Sequence, residues 1–182
     1  MYEFIIFVIA SLSLAYISRS SLCSLSRHGF YRFFAWELIL ILASLNIRAW
    51  FKDPFSLHQI VSWILLILSL FLVLHGIRLL RMIGAPDEQR EEDGLLDLEK
   101  TTRLVTVGAY KYIRHPLYSS LLCLAWGIFF KSPSWLEAFL AIGASLFLSL
   151  TAKIEEQENI HYWGDEYHNY MQHTKMFVPY LF

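Results

Sequence analysis

Residues 57–80 read LHQIVSWILLILSLFLVLHGIRLL, 24 positions with a single charged side chain, Arg78. A helix crosses the hydrocarbon of a bilayer with about 20 mainly apolar residues, so this stretch predicts a membrane span with length to spare. His75 lies near one end of it, and a lone histidine there is read as hydrogen-bonded packing rather than as a ligand. Moving back from it, Lys52-Asp53-Pro54 makes a turn, and Phe30 to Trp50 makes a second apolar run interrupted by Glu37, Asn46 and Arg48. A charge at membrane depth is costly and faces the bundle interior or the interface. Glu37 is therefore either an interfacial residue or a functional one. Ser18 to Arg32 is serine-rich with Arg19, Arg27 and Arg32, and reads as a basic interfacial loop. Tyr2 to Ile17 is apolar, has Glu3 where a signal peptide carries basic residues, and has no small-x-small site after it; it is expected to be a retained first span.

Moving forward, residues 78–103 are polar and of mixed charge, with Asp87, Glu88, Glu91, Glu92 and Asp93 against Arg81 and Arg90. They predict a solvated loop with a short amphipathic helix, placed where it could cover a site. Leu117 to Phe130 and Trp135 to Leu150 are apolar runs joined by Lys131-Ser132-Pro133-Ser134. Each is shorter than a straight span needs, so the pair reads as a tight helical hairpin. Lys153 to His173 reads as a polar helix broken at Gly164, with Gly164 ending one helix and Asp165 capping the next. Thr174 to Phe182 is apolar but too short to cross, and is expected to pack on the bundle or dip into the interface.

The whole chain has 182 residues, 56% of them hydrophobic, with mean hydropathy +0.44. A soluble domain has about 45–50%. The expected fold is all-α, an integral membrane bundle of about five spans with a short hairpin (the fourth and fifth) and a C-terminal helix outside the bilayer. Residues 1–80 would form a three-span membrane region and 81–182 the cofactor-binding and catalytic region. A net charge of −1 excludes an electrostatic grip on nucleic acid. The two cysteines, Cys23 and Cys123, lie beside or within apolar runs and imply neither a disulfide framework nor a zinc site. With five spans, Arg19, Arg27 and Arg32 share a side with Arg78, Arg81, Arg90, Lys100, Arg103, Lys111 and Arg114, while Arg48, Lys52 and Lys131 face the other. The positive-inside rule then places the N-terminus outside and the C-terminus in the cytoplasm. Shortness and the lack of a retention signal favour a prokaryotic inner membrane.

The densest chemistry lies in residues 104–118, LVTVGAYKYIRHPLY. Pro116 suits the first position of a helix, where its missing N–H costs nothing. The N–H groups that follow and the helix dipole favour an anion, with Arg114 and His115 just outside. From the residues alone, this is either a polar pocket at the cytoplasmic mouth of a span or a basic, aromatic anchor at the interface.

Leu104 to Tyr110, Arg114 to Tyr118, Glu155-Glu156, Trp163 to Tyr170 and Pro179 follow one another in an order and spacing that resembles the isoprenylcysteine carboxyl methyltransferase family. The wider group includes phospholipid amine methyltransferases. The likeness covers roughly the last 80 residues and implies an S-adenosylmethionine-dependent membrane methyltransferase. It implies cofactor contacts at Leu104, Val105, Tyr110, His115, Pro116, Leu117, Tyr118 and Glu155. His115, Arg114 and Glu156 are the candidates for catalysis, and no metal is expected. Adenine asks for an apolar slot, ribose for a carboxylate, and the methionine carboxylate for positive charge or a helix start. Methyl transfer is an in-line displacement for which a protein mainly aligns the reactants. A carboxylate acceptor needs no base; an ammonium acceptor does. The expected acceptor is a lipid or a lipid-linked small molecule.

Three positions depart from the prenylcysteine pattern: Thr151 and Met176 stand where arginines are found, and Ala109 where proline is common. They speak against a prenylcysteine carboxylate as substrate. A sterol-type reductase using NADPH shares the C-terminal layout, but for the 2′-phosphate the chain offers only Lys100, Arg103 and Lys111. A non-catalytic membrane partner protein is the third possibility. Glu158-x-x-His161 has di-iron spacing, but that geometry requires a second such motif, which the chain lacks.

Overall fold

Helical periodicity, not strand alternation, organises every apolar run. The structure, a computed structural model, describes residues 2–22, 27–85 and 100–181. Its α-helices are α1 (Tyr2–Ile17), α2 (Arg19–Leu22), α3 (His28–Leu45), α4 (Leu57–Ile83), α5 (Pro116–Phe129), α6 (Trp135–Trp163) and α7 (Asp165–His173), with a 3₁₀ turn at Gly108–Lys111. The protein is an all-helical membrane bundle. Among the described residues three helices, α3, α4 and α6, are long and apolar enough to cross a bilayer; α1 and α5 are apolar but shorter.

Two long pairings hold the bundle. α4 lies along α5, and α3 along α6, while α5 also meets α6 and α1 leans on α3. Helices in lipid gain little from burying apolar surface, so close approach depends on small residues and hydrogen bonds. α6 supplies Ala141, Ala144 and Ala152, all fully buried. Between α4 and α5, Ser62 donates to Gly127 O at 2.6 Å, and a Cβ on Gly127 would come within 3.0 Å of Leu66. The core runs from Ile39, Leu42, Ala125, Ile128 and Leu140 to Ala35, Leu148 and Phe177.

The end opposite Pro116 is closed by a buried lysine. Lys131, 1% exposed, donates to Gln59 Oε1 at 3.0 Å and lies 3.5 Å from the centre of the Trp63 ring. Gln59 in turn donates to Ala49 O and Lys131 O, tying the turn before α4 to the α5–α6 turn.

Several boundaries differ from the sequence expectations. The second run stops being helical at Leu45, and Asn46 caps it with both its backbone N–H and its side chain on Leu42 O. The third run continues beyond Leu80 to Ile83. Residues 135–150 and 153–163 are not separate elements but one 29-residue helix. No glycine or proline stands between Leu150 and Trp163 to stop it, and Thr151 bonds back to Phe147 O without breaking the ladder. Gly164, at φ +57°, ends it as expected. Asp165 does not cap the next helix; Gly164 takes that place and Asp165 begins the first turn. Glu37 accepts from Ser11 at 3.0 and 3.1 Å and so joins α1 to α3. Cys23 and the acidic stretch at 87–93 lie outside the described residues.

Candidate active site

The site is assembled where the start of α5 meets the last turns of α6. Gly108 lets the chain turn sharply at φ +61°, hard against His75 and Leu79 of α4; a Cβ there would lie 2.6 Å from His75 Nε2. Ala109 N–H donates to that same nitrogen at 3.3 Å. His75 thus holds the 3₁₀ turn and stacks on Phe71. Beyond the turn, Ile113 pairs with Lys175 in a single parallel bridge. Arg114 N–H donates to Lys175 O at 2.8 Å, and His115 N–H to Met176 O at 3.1 Å. The apolar tail therefore packs under the site, with Phe177 buried beneath Tyr118 and Ser119 donating to Phe177 O.

Three carboxylates on α6 point to three different partners. Glu155 accepts a short hydrogen bond from the Tyr118 hydroxyl, and its other oxygen lies 3.9 Å from His115 Nδ1. Glu156 lies deeper, with one oxygen 2.6 Å from Arg114 Nε and 3.3 Å from His115 Nε2. Glu158 turns to the far side and bonds the buried His28 at the start of α3, Nδ1 to Oε2 at 2.5 Å. Arg114 also donates through Nη1 to Thr174 O at 2.5 Å, so one guanidinium ties α6 to the segment after α7. The His115 ring stacks on Tyr118 at 5.4 Å.

A cavity with about 680 Å³ of empty space, its mouth included, opens between these elements. Leu104, Val105, Tyr110, Arg114, His115, Pro116, Leu117, Tyr118 and Glu155 all line it. Of the sequence candidates only Glu156 does not: it sits behind Arg114 and His115, 5% exposed. The cavity also has walls outside the named site candidates: Leu80, Thr101, Asn159, and Trp163, Tyr167 and Tyr170 of the motif that carries the family resemblance. A signal for two of them was present. Residues 155, 159 and 163 recur every four positions, one face of a helix, once α6 is known to run unbroken. Trp163 stacks on Tyr167 at 6.0 Å, and Tyr170 donates to Tyr110 O at 2.7 Å, closing the aromatic side. Burial pushes both the Tyr167 and Tyr170 phenols well above the ordinary tyrosine range, so Tyr170 keeps the proton it donates.

Among the described residues, a cavity with both polar and apolar walls thus lies at the end of the longest helix of an apolar membrane bundle. Residues 57–165 match the model of the phospholipid methyltransferase family, more than half of the chain, and the chain belongs to that family. It is similar to methanethiol S-methyltransferase of Crocosphaera subtropica, 25% identical over 129 residues, 66% of this chain and 44% of that one. It is also similar to methanethiol S-methyltransferase 1 of Bradyrhizobium diazoefficiens, 27% identical over 121 residues, covering 65% and 39% of the two chains. The enzyme of the same name from Pseudomonas deceptionensis is 25% identical over 123 residues, covering 66% and 43%. The chain spans less than half the length of these curated relatives. No solved structure matches it.

Proposed function

We propose that this protein transfers a methyl group from S-adenosylmethionine to a small or lipid-linked acceptor at the membrane face, which the distribution of basic residues assigns to the cytoplasm. The observation that carries the reading is the convergence of both motif halves, Leu104 to Tyr118 and Glu155, on one cavity. The residues suit the donor. Leu104, Val105 and Leu117 offer an apolar slot to adenine, and the first turn of α5 suits the methionine carboxylate. Glu155 is an acceptor for ribose or a counter-charge for the cationic end, and the aromatic wall of Tyr110, Trp163 and Tyr167 favours a cation. When bound, the donor supplies a methyl carbon already activated by its sulfonium. The protein's own part is to orient and to exclude water. Glu156, behind the wall, holds Arg114 and His115, and Arg114 in turn holds the tail.

The acceptor group is a carboxylate, amine or thiol, and the name of the similar methanethiol S-methyltransferases favours the thiol. Thermal unfolding of the purified protein with S-adenosylhomocysteine tests the reading, because a ligand of the native state raises the melting temperature by mass action. A rise is expected for the wild type, and its loss in His115→Ala and Glu155→Ala. A rise with NADPH alone would overturn the proposal.

A further inference from the structure

The cavity wall that runs from Thr101 through Leu104 and Val105 to Tyr110 is stiffened by one turn of 3₁₀ helix, Gly108–Lys111. Its place is set from outside. From α7, the Tyr170 hydroxyl donates to Tyr110 O at 2.7 Å. From α4, Gly76 makes room: a Cβ there would lie 2.8 Å from Leu117 Cδ2 and 3.6 Å from the Tyr110 hydroxyl oxygen. One residue earlier on α4, His75 takes the Ala109 N–H on Nε2 at 3.3 Å, and so presents a lone pair there. The imidazole lies nearly parallel to the exposed Phe71 ring, 7° between planes and 5.5 Å between centres, and it does not line the cavity. Ala109 stands where proline is common in the group that the chain resembles. Proline would fix φ at about −65°, a value that a 3₁₀ turn accepts, and would have no N–H to place. Alanine leaves φ free and leaves a donor to satisfy. His75 answers both.

Resting on the methyltransferase reading, we infer that His75 is a positioning residue for the methyl donor: its bond to the Ala109 N–H takes the place of a rigid φ and sets where Tyr110 stands in the cavity wall. It touches neither donor nor acceptor and acts through the amide one residue before Tyr110. A membrane span thereby fixes one wall of a cavity whose other wall is the end of α6. When the bond is lost, chains with the turn out of place do not bind, and the apparent affinity falls with the fraction that keep it. Positions 75 and 109 are then coupled with a change of sign. Proline at 109 beside His75 removes the donor and drives its Cδ against Nε2. Proline at 109 beside a small residue at 75 gives back the fixed φ with nothing to strike.

The test uses the full chain in lipid nanodiscs and measures S-adenosylhomocysteine binding by calorimetry, with the melting temperature recorded separately. If the wild type does not bind, the cofactor reading fails, and this inference with it. With a wild type that binds, His75→Ala should weaken affinity at least about fivefold, the scale of one amide left without its acceptor. His75→Gln keeps an acceptor and should stay within about threefold of wild type. Ala109→Pro alone should weaken binding. Added to His75→Ala it should strengthen binding about two- to fivefold, the gain from fixing a compatible φ. A histidine that only packs would lower the melting temperature in His75→Ala without this reversal. An affinity of His75→Ala within about twofold of wild type, a His75→Gln no better than His75→Ala, or the same direction of change for Ala109→Pro in both backgrounds would each overturn the inference. If His75→Ala does not fold, Ala109→Pro against Ala109→Ser decides: only the serine variant keeps the N–H, so it should bind more tightly, and equal affinities would overturn the inference.

Discussion

Replacing Glu156 by alanine removes the carboxylate oxygen that Arg114 Nε approaches to 2.6 Å and His115 Nε2 to 3.3 Å. The Arg114 side chain is 10% exposed and that of Glu156 7%, so water does not step in at little cost. Removing one partner of a buried ion pair costs about 3–5 kcal/mol, because the other charge is left uncompensated. The pair lies at the end of the bundle, where relaxation is easiest, so the lower figure applies. At about 2–4 °C per kcal/mol for a chain of this size, a loss of about 3 kcal/mol lowers the melting temperature by roughly 6–12 °C. The tail adds to this, since Arg114 also holds Thr174 O and Met171 O. The six tryptophans give an intrinsic fluorescence readout in detergent. Glu156→Gln keeps an oxygen for Arg114 and should lose less. Arg114→Met combined with Glu156→Leu should recover much of the loss, because neither charge then needs a partner. A melting point for Glu156→Ala within about 1 °C of wild type, or a double variant no better than the sum of the singles, would refute the reasoning.

Gly108→Ala puts a side chain at positive φ and within 2.6 Å of His75 Nε2, costing about 1–2 kcal/mol for the backbone and about 1–3 for overpacking. Its melting temperature should fall and its affinity for S-adenosylhomocysteine should weaken, as Tyr110 moves. Gly164 has open space around its Cβ position, so Gly164→Ala costs only the backbone term, about 1–3 kcal/mol. With ψ at −128° the residue is not in the left-handed helical well, so Gly164→Asn should be no better by thermal unfolding. Burial lowers the pKa of Lys131. The folded chain then gives up that proton before the unfolded chain does, and between the lowered value and about 10.4 the unfolded state binds more protons, so stability gains with rising pH. Lys131→Met should abolish that gain in a comparison of melting temperatures across the alkaline range. It should leave S-adenosylhomocysteine affinity unchanged, because 15 positions along α5 and its turn place it roughly 20 Å from Pro116.

Much of this was readable from residues. Leu57 to Leu80 is continuous enough to announce its helix, and Pro116 and Gly164 mark ends that the structure keeps. Spacing along the chain also brought together nine of the ten site candidates, because hairpin connectivity returns α6 to the start of α5. What composition hid was the length of α6. Charge rises after Lys153, and hydropathy reads that as a change of element, whereas the backbone ladder continues wherever no glycine or proline breaks it. The same blindness concealed that Asn159 and Trp163 share a helix face with Glu155, as they do once the helix is one piece. The depth of Glu156 was invisible for another reason. Adjacent residues on a helix point about 100° apart, and which of the pair faces the cavity depends on where Arg114 lies, a tertiary fact. The tail pairing of Ile113 with Lys175 left no pattern, since a single bridge has no periodicity.

The unbroken α6 also works as a ruler. Trp135, 94% exposed, opens it, and tryptophan settles at the boundary between hydrocarbon and headgroups. Twenty residues later, at about 1.5 Å each, Glu155 stands about 30 Å away, the thickness of a typical hydrocarbon core. The carboxylate on Tyr118 is thereby pinned at the opposite boundary layer. Membrane thickness then becomes a variable of the chemistry. Short-chain lipids lift the cavity into water, long-chain lipids sink it among acyl chains, and the bundle resists by tilting at a fraction of a kcal/mol per Å.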